Sequence, residues 1–190
     1  MGVTMPASRR SHLLRWAAGM PDRYIIEDDY DSEFRYFSRP IPALQGMDAA
    51  GRVIYVGTFS RSIAPSIRVG YMVLPPELTK RYRALFGYRL STVSRYEQQV
   101  LARFLSEGLY SRYLRRVGEK YRSRRSALTA ALKEIPGVTV SGDDGGIHFL
   151  LTNKRFSEPE LIERALEKGI ELRGLSPYCH RAEPMASTLV

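Results

Sequence analysis

Hydroxyl and guanidinium groups lie close together in one short stretch of the sequence, VIYVGTFSRSIAPSIRVGYMVL at positions 53–74. Serine and threonine have short side chains whose hydroxyls donate hydrogen bonds, and a guanidinium can bind a phosphate through two parallel hydrogen bonds. The residues concerned are Thr58, Ser60, Ser62, Arg61 and Arg68. Their types and spacing predict a phosphate site, and an ordinary solvated loop is the alternative.

A dense acidic cluster precedes this stretch, in the sequence YIIEDDYD at positions 24–31. Four carboxylates within five positions repel one another, so holding them together requires a compensating positive charge. A cation, a metal ion or a protonated ring nitrogen would each provide it. The cluster therefore predicts a second polar site, with these three alternatives open.

Both groups of residues adjoin apolar runs that are typical of strands. The runs cover positions 24–27, 53–56 and 69–74, and they are rich in β-branched and aromatic residues. In open α/β sheets, ligands bind where strands end and loops begin. These runs therefore predict sheet strands that position the acidic cluster and the hydroxyl-rich turn at a ligand site.

Four motifs follow one another along the chain: EDDYDSEF, IPALQ, VIYVGTFSRS and APSIRVGYMVLP. In this order they resemble the cofactor half of fold type I pyridoxal-phosphate (PLP) aminotransferases. The closest resemblance is to the aminotransferase-like domain of MocR/GabR-type transcription regulators, from about Met5 to about Leu175, with truncation expected at both ends. It implies an α/β fold: part of the aspartate aminotransferase-like large domain, with a mostly parallel sheet, followed by a small α+β domain.

The same resemblance implies roles for individual residues toward PLP. Asp28 would bond the pyridine nitrogen, and Tyr30 would bond the ring hydroxyl. Alternation along an extended segment would point both side chains to the same side. Arg68 would contact the cofactor phosphate, and Thr58 and Ser60 would line it.

One position departs from the family pattern. The Schiff-base lysine of the family lies directly after GTFS, and this sequence has Arg61 there. A guanidinium stays charged and is a poor nucleophile, so it cannot replace the amine. We therefore expect PLP, or its adduct with an amino acid, to be held non-covalently or lost, and transamination to be impaired.

The expected partners follow from the resemblance and from composition. The family implies an amino acid or amine ligand and a homodimer, with DNA bound only through a winged-helix domain absent from this chain. The single cysteine, Cys179, excludes an intramolecular disulfide and favours the cytoplasm. No apolar run is long enough to span a membrane, and no Cys/His spacing predicts a metal site.

The pattern of elements predicts two domains. A partial PLP-binding large domain would cover 1–115 and a partial small α+β domain 116–190, joined by a long helix over 109–135 with an apolar stripe and a solvated face of arginines. Trp16 is predicted to anchor the core from an N-terminal helix. The elements predicted for the small domain are strands over 138–140, 147–151 and 170–172 and a helix over 158–168.

Several functions compete at this point. The favoured one is an aminotransferase-like effector domain, or a fragment of one, that binds PLP or an amino-acid adduct. The alternatives are an active aminotransferase acting on amino acids, an arginine-rich module that binds nucleic acid or protein, and a gene remnant. The net charge of +9 favours acidic ligands in general, but the arginines are spread along the chain.

Overall fold

The computed structural model describes residues 5–34, 42–142, 145–179 and 187–190. By its internal contacts the chain divides into two compact units. The first unit contains residues 5–33 and 42–117, and the second contains Phe34 and the described residues from 118 onward.

The first unit is built on a three-stranded sheet in the order β1-β2-β3. The strands are β1 (Ile25–Asp29), β2 (Val53–Thr58) and β3 (Gly70–Val73). β1 and β2 are parallel, whereas β2 and β3 are antiparallel, so the described part of the sheet is mixed. The helices are α1 (Ala7–Ala18), α2 (Leu44–Met47), α3 (Phe59–Ser62), α4 (Pro76–Phe86) and α5 (Arg95–Ser106).

The acidic residues of β1 do not form one cluster, because successive side chains of a strand point to opposite faces. The carboxylate of Glu27 accepts hydrogen bonds from the backbone N–H groups of Leu44 (2.7 Å) and Gln45 (3.0 Å) at the start of α2. It also lies 3.6 Å from the Arg10 guanidinium of α1.

Asp29 has partners of its own. It accepts hydrogen bonds from the Tyr55 hydroxyl (2.8 Å) and from the backbone N–H of Ser32 (3.2 Å). Glu27 and Asp29 thus have separate partners, which offset part of the repulsion that the sequence predicts. No group of three His, Cys, Asp or Glu side chains among the described residues is arranged to hold a metal ion.

The prediction that Trp16 anchors the core is wrong. Its side chain is 50% exposed, and the Arg23 guanidinium lies 4.8 Å from the centre of its ring. The buried residues of α1 are Ala17 and Arg10, and Arg10 is drawn inward by Glu27. A charged partner on the sheet therefore decides which side of this helix faces inward.

A long helix, α6 (Leu109–Lys133), begins in the first unit and ends in the second. Its predicted apolar stripe is largely exposed, as at Tyr121 and Leu128. Its arginine face is not wholly solvated, because Arg125 is buried and donates hydrogen bonds to the carbonyl oxygens of residues 142, 145 and 146. No helix of the described residues is long and apolar enough to cross a bilayer.

The second unit has an antiparallel sheet with the order β4-β5-β6. Its elements are β4 (Val138–Ser141), β5 (Leu150–Asn153), α7 (Glu158–Leu166) and β6 (Thr188–Leu189). The strand predicted over 170–172 is wrong, since that segment has no regular structure and β6 takes the third place in the sheet. The helix α7 begins at a capping box in which Ser157 and Glu160 bond each other's backbone.

A carboxylate clamp in the second unit explains why position 174 is a glycine. Glu158 accepts hydrogen bonds from the backbone N–H groups of Leu175 (3.1 Å) and Ser176 (3.3 Å) and from the Ser176 hydroxyl (3.0 Å). A Cβ at Gly174 would collide with the Glu158 carboxyl group. The clamp thus requires the absence of a side chain there.

We expect Gly174→Ala to destabilise the protein by about 1–3 kcal/mol, because the carboxylate must give up charged hydrogen bonds to make room. Gly118→Ala is the matched control: nothing lies within 4 Å of a Cβ there, and alanine is favoured over glycine inside a helix by about 1 kcal/mol. Urea unfolding of both variants measures the difference. Equal unfolding midpoints would contradict the role of the clamp.

Candidate functional site

A pocket of about 380 Å³ lies in the first unit, where β1 and β2 end and β3 begins. It brings together the residues to which the family resemblance gives a role toward the cofactor, and Arg61 at the position of the missing lysine. Its lining residues are Asp28, Tyr30, Thr58, Ser60, Arg61, Arg68 and Gly70. The sequence reasoning missed Gly70, which pairs with Thr58 across the sheet; a glycine inside an apolar strand was the available signal.

Thr58 builds the turn that carries the other hydroxyls. It is the N-cap of α3, accepting a hydrogen bond from the backbone N–H of Ser60 (3.1 Å) and donating one to the carbonyl of Val69 (3.2 Å). A hydroxyl has a single proton. Thr58 could therefore donate to a phosphate only by releasing Val69.

Ser62 lies outside the pocket, which corrects its assignment as a phosphate donor. Its side chain is 1% exposed, and its hydroxyl lies 2.9 Å from the hydroxyl of Tyr110. Tyr110 in turn donates to Glu33 at 3.2 Å. Ser62 therefore attaches α3 to the rest of the unit, while its neighbours Ser60 and Arg61 line the pocket.

The sequence reasoning also missed two tyrosines that hold this turn in place. Tyr110 bonds Ser62, and the Tyr113 hydroxyl donates to the carbonyl oxygen of Ile63 at 3.0 Å. Burial raises the pKa of Tyr110 to about 12, although the hydrogen bond from Ser62 opposes the shift, so the phenol stays protonated at neutral pH. Both tyrosines lie in the first two turns of α6, and their spacing of three was the available signal.

Arg68 reaches the pocket from a strained backbone. It follows the 3₁₀ helix Pro65–Ile67 and has φ 48°, in the left-handed region. This conformation costs a residue with a Cβ about 1–2 kcal/mol. Strain of this kind is concentrated at functional sites, where the surrounding structure maintains it. Its position next to the pocket is consistent with a binding role.

The pocket has more positive than negative side chains, and these charged groups do not pair with one another. Within the described ranges, Asp28, Arg61 and Arg68 form no hydrogen bond or ion pair through their side chains. Two guanidiniums thus face the pocket with one carboxylate. A concave surface with this excess of positive charge attracts anionic ligands.

Tyr30 is a phenol that can donate a proton at neutral pH. Partial burial raises its pKa, and the negative charges of Asp31 and Asp28 act in the same direction. The guanidinium of Arg61 opposes them, which places that cation within electrostatic reach of the Tyr30 hydroxyl. The pocket therefore presents a neutral donor beside a cation and a carboxylate.

Comparison with known proteins places these features in a family, although no protein-family model matches the chain. The chain is 40% identical over 193 residues to the uncharacterized HTH-type transcriptional regulator YhdI of Bacillus subtilis (strain 168), covering 100% of this chain and 41% of that protein. It is 34% identical over 193 residues to the probable rhizopine catabolism regulatory protein MocR of Rhizobium meliloti, covering 100% and 39%. It thus spans about two fifths of the length of these curated relatives.

The fold agrees with this result. The structure matches the kynurenine aminotransferase of Pyrococcus horikoshii, solved in complex with PMP, with a TM-score of 0.84 and 32% identity. The match covers 99% of this chain and 47% of that enzyme. The chain therefore belongs to the fold type I family of PLP-dependent aminotransferases, and it is similar to the aminotransferase-like domain of the MocR-type regulators.

Proposed function

We propose that the pocket holds PLP, or an adduct of PLP with an amino acid, without a covalent bond to the chain. The observation that carries this proposal is the meeting of Asp28, Tyr30, Ser60, Arg61 and Arg68 around one pocket. On this basis the chain acts as an effector-binding domain, and its capacity for transamination is impaired.

The residues of the pocket fit the chemical groups of PLP. Ser60 and Arg68 offer a hydroxyl and a guanidinium to the phosphate, the combination that binds phosphate esters in proteins. Asp28 offers a carboxylate without another partner in the described residues, and a protonated ring nitrogen would supply one. Tyr30 offers a neutral phenol to the ring oxygen. Bound PLP supplies an electron sink, which a carboxylate at the ring nitrogen maintains.

The impairment follows from the chemistry of position 61. Covalent attachment of PLP requires a neutral amine, and the guanidinium of Arg61 stays protonated. None of the residues lining the pocket is a lysine. An active aminotransferase acting on amino acids would need an amine from outside this pocket, so we rank that function second.

The finer features of this function are also proposals. We propose that the ligand is an amino acid or amine, recognised together with PLP, and that the protein is a cytoplasmic homodimer. The relatives named above are regulators of the HTH type, so DNA binding would belong to another part of such a protein. The arginines of this chain give no separate support to nucleic-acid binding, because they are spread along the chain and do not form one block. Arg125 is moreover buried, and it donates hydrogen bonds to backbone carbonyls.

A PLP titration followed by absorbance and fluorescence tests the proposal. We expect the wild-type chain to bind PLP and the Arg68→Gln variant to bind it about 10- to 100-fold more weakly, because charged hydrogen bonds to the phosphate are lost. Arg112→Gln is the matched control, with the same change in charge at an exposed position of α6. If wild type does not bind PLP, or if the two variants bind it equally, the proposal is wrong.

A further inference from the structure

The two arginines of the pocket come from different elements. Arg61 is on α3 and acts electrostatically on the hydroxyl of Tyr30, beside Asp28. Arg68 precedes β3 and is fixed by its left-handed backbone next to Gly70. The two cations thus reach one pocket from different elements of the unit.

Neither cation is neutralised by the chain itself. Both side chains are without an ion pair or hydrogen bond in the described residues, and the pocket offers a single carboxylate, Asp28. A phosphate held by Arg68 and Ser60 would leave Arg61 facing the remainder of the molecule, unless both guanidiniums converge on that one group. An anionic substituent there would gain a charge-assisted hydrogen bond, whereas an ammonium would be repelled.

We propose that Arg61 is a specificity-determining residue that selects pyridoxyl phosphates carrying a second anionic group and rejects those carrying a free amine. This inference rests on the proposed function, since it assumes that Arg68 and Ser60 take the phosphate. The ligand class is a ring phosphate with a carboxylate substituent, as in pyridoxic acid phosphate or an adduct of PLP with an amino acid. Asp28 meets the protonated ring nitrogen of such a ligand.

Three compounds that differ in one ring substituent test the inference by calorimetric titration. Pyridoxic acid phosphate carries a carboxylate, pyridoxine phosphate a hydroxymethyl group and pyridoxamine phosphate an aminomethyl group. We expect the wild-type protein to bind them in that order of decreasing affinity, with about a tenfold or greater difference between the first and the last.

Two variants separate the roles of the arginines. Arg61→Gln is expected to remove the difference among the three compounds while retaining binding through the phosphate. Arg68→Gln is expected to weaken all three together, and to weaken inorganic phosphate as well. The matched pair of substitutions makes the same change in charge at two points of one pocket.

The outcomes distinguish this inference from the proposed function. If the wild-type protein binds all three compounds equally, both guanidiniums hold one phosphate, and the inference is overturned while the PLP site stands. Tighter binding of the amine than of the carboxylate would overturn it too. If no phosphorylated compound binds, PLP included, then the inference and the proposed function both fail.

Discussion

Arg61→Lys is expected to make the pocket attach PLP covalently. The substitution supplies an amine at the position where the resembled enzymes carry theirs. The positive charge of Arg68, which lines the same pocket, favours the neutral, nucleophilic form of such an amine. A new absorbance band that borohydride reduces to a stable product would report the linkage. Digestion and mass spectrometry should then locate the phosphopyridoxyl group at position 61.

Background labelling makes a control necessary. The chain has other lysines, at Lys80, Lys120, Lys133, Lys154 and Lys168, which free PLP can modify at high concentration. Wild type and Arg61→Gln report that background, and neither should be labelled at position 61. If Arg61→Lys binds PLP as tightly as wild type but gains no reducible linkage, Arg61 does not occupy the site of the missing amine.

Glu27→Ala is expected to destabilise the protein by about 3–5 kcal/mol. The carboxylate and its partner Arg10 are 13% and 9% exposed at their side chains, and the loss of one leaves the other as a buried, uncompensated charge. The same change frees two backbone N–H groups at the start of α2, those of Leu44 and Gln45. Urea unfolding measures the loss.

A matched pair on the surface provides the control. Arg103 and Glu107 form an ion pair at 2.6 Å, but their side chains are 81% and 44% exposed. Glu107→Ala should therefore cost at most about 1 kcal/mol. The double substitution Arg10→Met with Glu27→Leu should recover much of the stability lost in Glu27→Ala, because apolar residues can replace a buried ion pair. Equal losses from Glu27→Ala and Glu107→Ala would contradict this account.

Much of the pocket could be predicted from local sequence, because strand alternation and turn chemistry are local. Asp28 and Tyr30 are two residues apart at the end of a strand, so both face one side. Thr58 and Ser60 lie in a turn whose first hydroxyl caps the helix that follows. Arg68 lines the pocket as expected. Its left-handed backbone conformation could not be predicted from the local sequence.

The failures share a different physical cause, which is packing by distant segments. Ser62 resembles Ser60 in sequence, but Tyr110, 48 positions away, buries it. Trp16 is apolar, but the attraction between Arg10 and Glu27 sets the orientation of its helix. Residues 170–172 have strand-like composition, but β6 pairs with β5 instead. Such choices depend on long-range contacts that periodicity does not encode.

The pairing of Glu27 with Arg10 also has a consequence for strand register. The segment Glu27-Asp28-Asp29 consists of three carboxylates in a row, so a slip of β1 by one residue would exchange their faces and still place an acid in the pocket. Only the longer side chain of Glu27 pairs with Arg10 and accepts hydrogen bonds from the backbone of α2. A buried ion pair of this kind discriminates against neighbouring alignments, and it thereby places Asp28, among three similar acids, at the pocket.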